Sequence, residues 1–98
     1  MYERKILLGF MRVHILHHAD EEGIYGAWMM DELEHHGYTL SPGTLYPILH
    51  EMERDGVLQA TKKTIDGRQV KLYRTTAQGR QTLKRLRNFV AELSREVT

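Results

Sequence analysis

The chain has 98 residues, no cysteine and a formal net charge of +1 at pH 7. This length predicts one small domain with a thin core, and the missing cysteines exclude disulfides, thiolate metal sites and cysteine nucleophiles. The longest apolar run, Ile6–Met11, is too short to cross a bilayer, and the first residues do not form a signal peptide, so we expect a soluble, cytoplasmic protein without a membrane partner.

The two halves of the chain carry opposite charge. Residues 1–56 contain four Lys/Arg and ten Asp/Glu, a net charge of −6, whereas residues 57–98 contain ten and three, a net charge of +7. A basic half on a nearly neutral protein is a directed electrostatic surface, and the usual partner of such a surface is a polyanion.

Two helices are predicted first. The first runs from Glu3 to Ala19, with apolar positions spread over more than half of its circumference, so we expect it to be buried on a wide arc. A short second helix follows the turn after Asp20 and ends at His36–Gly37. Its apolar positions keep helical spacing at Tyr25, Trp28, Met29 and Leu33.

The third helix has a clear start and stop. Ser41 is predicted to accept a hydrogen bond as N-cap, Pro42 suits the first helical position, and Asp55–Gly56 ends the helix. Pro47 removes the amide that would bond to the Gly43 carbonyl, a fault worth about 3 kcal/mol in a regular helix interior. We therefore expect a loosened first turn and an outward side at Gly43, Tyr46, Pro47, His50 and Arg54. Glu51 and Glu53 are predicted to be exposed.

A β-hairpin is predicted after the third helix. Residues 57–65 and 68–76 are rich in β-branched and aromatic side chains, and Asp66–Gly67 between them is a favoured two-residue turn. A two-stranded ribbon is marginal alone, so it must lean on the helices while its tip projects. Its basic side chains are Lys62, Lys63, Arg68, Lys71 and Arg74.

The last predicted helix runs from Ala77 to about Val97, with Thr76 as its cap. Its apolar residues fall on heptad core positions and are interpreted as a homodimer contact: Leu83, Leu86, Val90, Leu93 and Val97. The alternative is that this seam packs on the first helix of the same subunit, and both contacts could hold together. We divide the chain into residues 1–76 and a dimerisation helix, residues 77–98, within one structural unit.

Three helices and a hairpin, in a mainly α fold with a β-hairpin wing, are the order of a winged helix-turn-helix, in which a helix N-terminus enters the DNA major groove and the hairpin lies along the backbone. Any single candidate could equally be an ordinary exposed residue, and the combination carries the hypothesis. The predicted DNA contacts are Ser41, Gly43, Thr44, Tyr46 and His50 in the third helix and Lys62, Lys63, Arg68 and Lys71 in the wing.

Histidines give a rival hypothesis. His14 and His18 lie four residues apart on the first helix with His17 beside them, and His35, His36 or a partner subunit could complete a divalent metal site. No second motif fixes the geometry, so solvated histidines are the default and we predict neither a bound metal nor a cofactor. No enzyme motif is present, so we predict that the chain is not an enzyme.

Three segments resemble the PadR family of transcriptional regulators: LSPGTLYPILHEMERDGVL at residues 40–58, GRQVKLYRTTAQGRQTL at 67–83 and IYGAWMMDEL at 24–33. The resemblance covers roughly residues 5–86 and implies a dimeric winged-helix repressor of the compact branch. It implies DNA contacts at Ser41, Thr44, Tyr46 and the wing cations. Relatives often have tyrosine where this chain has Ala27, so a phosphate contact made there is expected to be lost or passed to Tyr25.

The resemblance also implies a small phenolic or drug-like effector. Trp28, Met29 and Met30 are candidates for lining an aromatic and sulfur-rich pocket near the dimer interface, and the alternative is that they are plain core. Our leading hypothesis is a ligand-responsive homodimeric repressor that binds an inverted-repeat operator in double-stranded DNA. The alternative is a metal- or ligand-binding interaction module that keeps the fold without specific DNA binding.

Overall fold

A computed structural model describes residues 1–98, which form four helices and one small antiparallel sheet. The elements in chain order are α1 (Tyr2–Glu21), β1 (Ile24–Tyr25), α2 (Gly26–His35), α3 (Pro42–Arg54), β2 (Leu58–Ile65), β3 (Arg68–Thr75) and α4 (Ala77–Val97). Three helices followed by a hairpin confirm the predicted winged helix-turn-helix architecture. None of the four helices is both long enough and apolar enough to cross a membrane.

The wing is the hairpin β2–β3. Its two strands pair in register from Leu58 opposite Thr75 to Ile65 opposite Arg68. Asp66 and Gly67 have φ angles of +51° and +77°, the left-handed conformations that a type I′ turn requires. Residues 61–69 are all exposed, so the tip projects from the body of the protein as predicted.

The sheet has a third strand in addition to the predicted hairpin. Ile24 and Tyr25 form β1, which pairs antiparallel with Tyr73 and Leu72 of β3, so the strand order is β1-β3-β2. The hairpin therefore leans on a strand as well as on the helices. A strand of two residues is too short to show an alternating pattern, so the sequence did not predict β1. Its pairing depends on the position of β3 in the folded chain.

The core draws on all four helices and on the base of the sheet. Its largest fully buried side chains include Ile15, Met29, Leu49 and Tyr73. In α1 the first core residue is Met11, and Ile6, Leu7 and Phe10 stay exposed. The wide buried arc expected for the first helix was thus wrong for its first half, which the rest of the chain does not cover.

Helix α4 is divided into a covered and an uncovered part. Leu83 lies in the core and Leu86 packs against it, whereas Val90, Leu93 and Val97 are 49%, 49% and 67% exposed. The heptad seam is therefore not a single dimer contact, because its first two residues pack within the subunit. The remaining three are uncovered.

Helices α1 and α4 run antiparallel. Arg80 Nη1 lies 3.9 Å from Asp20 Oδ1, and Arg87 Nη2 lies 3.1 Å from His17 Nδ1, so the chain positions rise in α4 as they fall in α1. Beyond these contacts every residue of α4 from Asn88 onward is exposed, so α1 does not cover the C-terminal half of α4.

The start of α4 is fixed by a predicted cap and a close backbone approach. Thr76 Oγ1 accepts a hydrogen bond from the Gly79 amide at 3.0 Å and donates one to the Gly56 carbonyl at 2.6 Å. A Cβ on Gly79 would overlap the carbonyl oxygen of Val57. Glycine at this position allows α4 to begin directly against the base of the wing.

We predict that Gly79→Ala lowers the free energy of unfolding by about 1–3 kcal/mol, because an added methyl group must displace backbone. The matched control is Gly9→Ala in α1, where a Cβ meets nothing within 4 Å. That change should raise stability by roughly 0.5–1 kcal/mol through helix propensity. Denaturant unfolding followed by circular dichroism measures both, and wild-type stability of Gly79→Ala would contradict the close approach.

Candidate nucleic-acid interface

The first turn of α3 presents unused hydrogen-bond donors to solvent. Ser41 is the N-cap residue, but its side chain caps no amide, which corrects the prediction from the sequence. Its carbonyl instead accepts from the amides of Thr44 and Leu45 at 2.9 and 3.0 Å. The Ser41 hydroxyl and the Gly43 amide are left for an outside partner, at the helix end that attracts anions.

Pro47 is accommodated inside an unbroken α3. It supplies no amide to the Gly43 carbonyl, and both residues are exposed, so water can solvate that carbonyl. All five residues predicted to lie on the outward side of α3 are exposed: Gly43, Tyr46, Pro47, His50 and Arg54. The prediction of an uncovered face is confirmed.

Thr44 has a partner from α1. Arg4 Nη2 donates a long hydrogen bond of 3.4 Å to Thr44 Oγ1, so a guanidinium lies beside the first turn of α3. Arg4 was not among the residues predicted from the sequence, because the two residues are 40 positions apart and only the packing of α1 brings them together.

Tyr46 lies over the start of α2. A Cβ built on Gly26 would fall 2.5 Å from the Tyr46 ring and 2.6 Å from its hydroxyl, so the ring occupies space that any other side chain at residue 26 would need. Tyr25, the N-cap of α2, precedes this contact and is half-buried. Gly26 therefore determines how far Tyr46 can turn back toward α2.

A groove of about 440 Å³ separates α3 and the start of α2 from the wing. It brings together six of the predicted DNA-contacting residues: Tyr25, Tyr46, His50, Lys62, Arg68 and Lys71. Gln69 also lines it and was not predicted, since an uncharged residue at a hairpin tip gives no signal in the sequence. Ser41, Gly43, Thr44 and Lys63 lie outside this groove.

The wing cations differ in their surroundings. Lys62 and Lys71 are directly opposite in the register and share one face of the hairpin, whereas Lys63 points to the other face. Lys71 Nζ is 3.6 Å from a Glu53 carboxylate oxygen and is partly neutralised. Lys62, Lys63 and Arg68 have no carboxylate within ion-pairing distance.

The acidic residues of α3 are half-buried and paired, which corrects the expectation that they are exposed. Arg12 Nη2 lies 2.6 Å from Glu51 Oε2, and Glu53 contacts Lys71. Tyr73 also lines the groove, and burial, followed by the charges of Glu53 and Tyr46, raises the pKa of its phenol.

The predicted effector residues do not form one pocket. Met29 is fully buried in the core and cannot line a surface pocket, Met30 packs against the core, and Trp28 is exposed. Trp28 lines a separate concavity of about 580 Å³ with Ile24, Leu72 and Arg74. A ligand site beside Trp28 stays a prediction, but Met29 cannot be one of its lining residues because it is buried in the core.

The candidate metal ligands of the rival hypothesis, His14 and His18, lie on α1 and face α2, outside the groove. The uncovered dimer candidates Val90, Leu93 and Val97 have a neighbour that the heptad pattern missed, Phe89, which is 72% exposed. Phe89 falls off the heptad core positions, so the spacing rule could not find it.

A family model and a known relative both match most of this chain. The family model described as "Transcriptional regulator PadR-like family" matches residues 15–85. The chain is 49% identical over 87 residues to Transcriptional regulator Rv3488 of Mycobacterium tuberculosis, covering 89% of this chain and 81% of that protein.

Solved structures of PadR-like regulators superpose on this chain. A PadR-like transcriptional regulator from Bacillus cereus superposes with a TM-score of 0.85 at 27% identity, covering 95% of this chain and 92% of that one. A PadR family transcriptional regulator from Eggerthella lenta gives a TM-score of 0.80 at 27% identity, covering 91% and 79%. Proteins of this family are regulators of transcription and not enzymes. Since the family model covers well over half of the chain, the chain belongs to the PadR-like family of transcriptional regulators.

Proposed function

We propose that the chain is a homodimeric, sequence-specific DNA-binding repressor that recognises an inverted-repeat operator. The observation that carries the proposal is the convergence of Tyr46 and His50 of α3 with Lys62, Arg68 and Lys71 of the wing on one groove. Aromatic and imidazole groups opposite a row of cations suit a DNA backbone with base edges beside it.

The first turn of α3 is proposed to enter the major groove. The Ser41 hydroxyl and the Gly43 amide would bind phosphate or base edges, and Arg4 would add a positive charge beside Thr44. The wing cations would lie along the neighbouring backbone, where they contribute affinity but little sequence preference.

The proposed dimer uses the uncovered parts of α1 and α4. Both helices carry exposed apolar side chains, and covering them in a dimer would remove apolar surface from water. The side chains concerned are Ile6, Leu7 and Phe10 in α1 and Phe89, Val90, Leu93 and Val97 in α4. A two-fold axis there would place two α3 helices on half-sites about one DNA turn apart.

An effector response completes the proposal. A small aromatic compound would bind beside Trp28, whose concavity lies next to β1 and β3 at the base of the wing. Supporting this are the exposed indole ring and the family resemblance. The proposal that the chain represses transcription, and does not activate it, rests on that resemblance alone.

The proposal is tested by fluorescence anisotropy of the purified protein against its own promoter fragment and a scrambled fragment at two salt concentrations. We expect a preference for the promoter that persists as salt rises, because base contacts do not depend on counterion release. Equal binding to both fragments would leave only generic charge attraction. Binding to neither would favour the interaction module without DNA activity.

We predict that the triple variant Lys62→Gln, Lys63→Gln, Arg68→Gln flattens the dependence of log Kd on log salt by about 0.9 for every phosphate that the wing no longer neutralises. The affinity for all DNA should fall with little change in sequence preference. The matched control removes three positive charges from α4, through Lys84→Gln, Arg85→Gln and Arg95→Gln. An equal decrease of the slope in both variants would mean that the wing acts only through net charge.

We predict that Val90→Glu with Leu93→Glu yields a monomer in sedimentation velocity, at the mass of one chain, 11.5 kDa. Two carboxylates in a desolvated apolar contact are too costly to bury. The control is Asn88→Glu, on the other side of α4, which should leave the association state unchanged. A dimer that survives the double substitution would place the interface elsewhere.

A further inference from the structure

Four side chains from two helices face one another outside the groove. His14 and His18 lie one turn apart on α1, and Glu32 and His36 lie one turn apart at the end of α2. Each pair has the four-residue spacing that places both side chains on the same side of a helix. The chain thus brings three imidazoles and one carboxylate together.

The donor atoms of this cluster are close. The ligand nitrogens of His14, His18 and His36 all lie within 4.8 Å of one another. One Glu32 carboxylate oxygen lies 3.2 Å from His18 Nε2 and 3.1 Å from His36 Nε2. A tetrahedral zinc site needs ligand nitrogens about 3.3 Å apart, a change that rotation of surface side chains can provide.

The cluster is partly buried and packed against aromatic rings. Burial, followed by the neighbouring charges of His36, His18 and His17, lowers the pKa of His14. The edges of Tyr38 and Trp28 pack on the rings of His14 and His18, with ring centroids 5.3 and 5.2 Å apart. Imidazoles beside one carboxylate, held by aromatic rings, are a suitable donor set for a divalent cation.

We propose that His14, His18, Glu32 and His36 bind one divalent transition-metal ion, with zinc as the representative ligand. Three nitrogen donors and one oxygen donor suit zinc, copper, nickel or cobalt, whereas magnesium and calcium prefer oxygen ligands alone. The proposal goes beyond DNA recognition and does not depend on it, since none of the four residues lines the groove.

A second arrangement shares His18 but is less suitable. His17, His18 and Glu21 also place three donor atoms within 4.8 Å of one another. However, the Arg87 guanidinium lies 3.1 Å from His17 Nδ1, which adds a positive charge at that position. These three residues also come from a single helix, whereas the proposed site joins α1 to α2.

A metal in the proposed site would cross-link α1 to α2, and α2 in turn packs against α3. Since an ion that binds only the folded chain stabilises it by mass action, unfolding should require more denaturant in the presence of zinc. A bound ion would thus make α1 and α2, against which α3 packs, more rigid relative to each other.

The test is a zinc titration of the chelator-treated full chain, followed by the fluorescence of Trp28. This is the only tryptophan of the chain, and its ring centroid is 5.2 Å from that of His18. Bound zinc per chain is measured in parallel by elemental analysis after gel filtration. We expect saturation at one ion per chain, and cobalt should give the intense visible absorption of a tetrahedral site.

Single variants distinguish the two arrangements. His14→Asn, His36→Asn and Glu32→Gln should each weaken zinc binding by at least about tenfold. His35→Asn, an exposed neighbour outside the cluster, and His17→Asn should leave zinc binding unchanged. Circular dichroism verifies that every variant is folded.

Two results would overturn the proposal. One is the absence of saturable binding up to about 100 μM zinc, because protein zinc sites bind the ion at far lower concentrations. The other is binding that survives His14→Asn and His36→Asn but disappears in His17→Asn, which would assign the ion to the second arrangement. Because no DNA is present, neither result bears on operator recognition.

Discussion

The central position of β3 is the constraint on which the rest of the structure depends. It pairs with β1 on one side and β2 on the other, and it carries Tyr73 into the core. At its end, Thr75 donates a 2.9 Å hydrogen bond to Asp20, whose carboxylate also lies 3.9 Å from Arg80. One strand therefore holds α1, α4 and the wing in a fixed relation. A hairpin held only by its own turn could not keep the wing cations at a constant distance from α3.

Ion pairs within the chain change which charges are left free near the groove. The first 56 residues carry a net charge of −6, which would repel DNA if their carboxylates were free at the groove. The two acidic residues of α3 instead contact Arg12 and Lys71, so these two carboxylates are neutralised within the chain. Lys62, Lys63 and Arg68, which have no carboxylate within ion-pairing distance, lie on the projecting part of the wing.

Local chemistry made much of the fold predictable from the sequence. The hairpin turn follows from Asp66–Gly67, the start of α4 from Thr76, and the outward side of α3 from the spacing of its apolar residues. Each of these features depends on interactions within a few residues, which propensity and capping rules describe well.

The remaining features depend on contacts between distant parts of the chain. Periodicity indicates which side of α4 is apolar, but it cannot tell that Leu83 meets its own core while Leu93 meets solvent. The contact of Arg4 with Thr44 and the position of Glu32 beside His18 are likewise decided by how α1 crosses the other helices. For the candidate site, most of the residues that line the groove were therefore predictable, but the pairings that neutralise or position them were not.

Helix α1 carries both the contacts to α3 and the uncovered apolar side chains Ile6, Leu7 and Phe10. It has 20 residues, and at a rise of about 1.5 Å per residue it is about 30 Å long. Arg4 and Arg12 contact Thr44 and Glu51, so α1 is joined to α3 at two points about two turns apart. A tilt of a helix of this length by about 10° displaces one of its ends by about 5 Å relative to the other. This displacement is larger than the step of about 3.4 Å between successive base pairs. In the proposed dimer, a small change in the angle between the two subunits would therefore move one α3 relative to the other by more than one base-pair step.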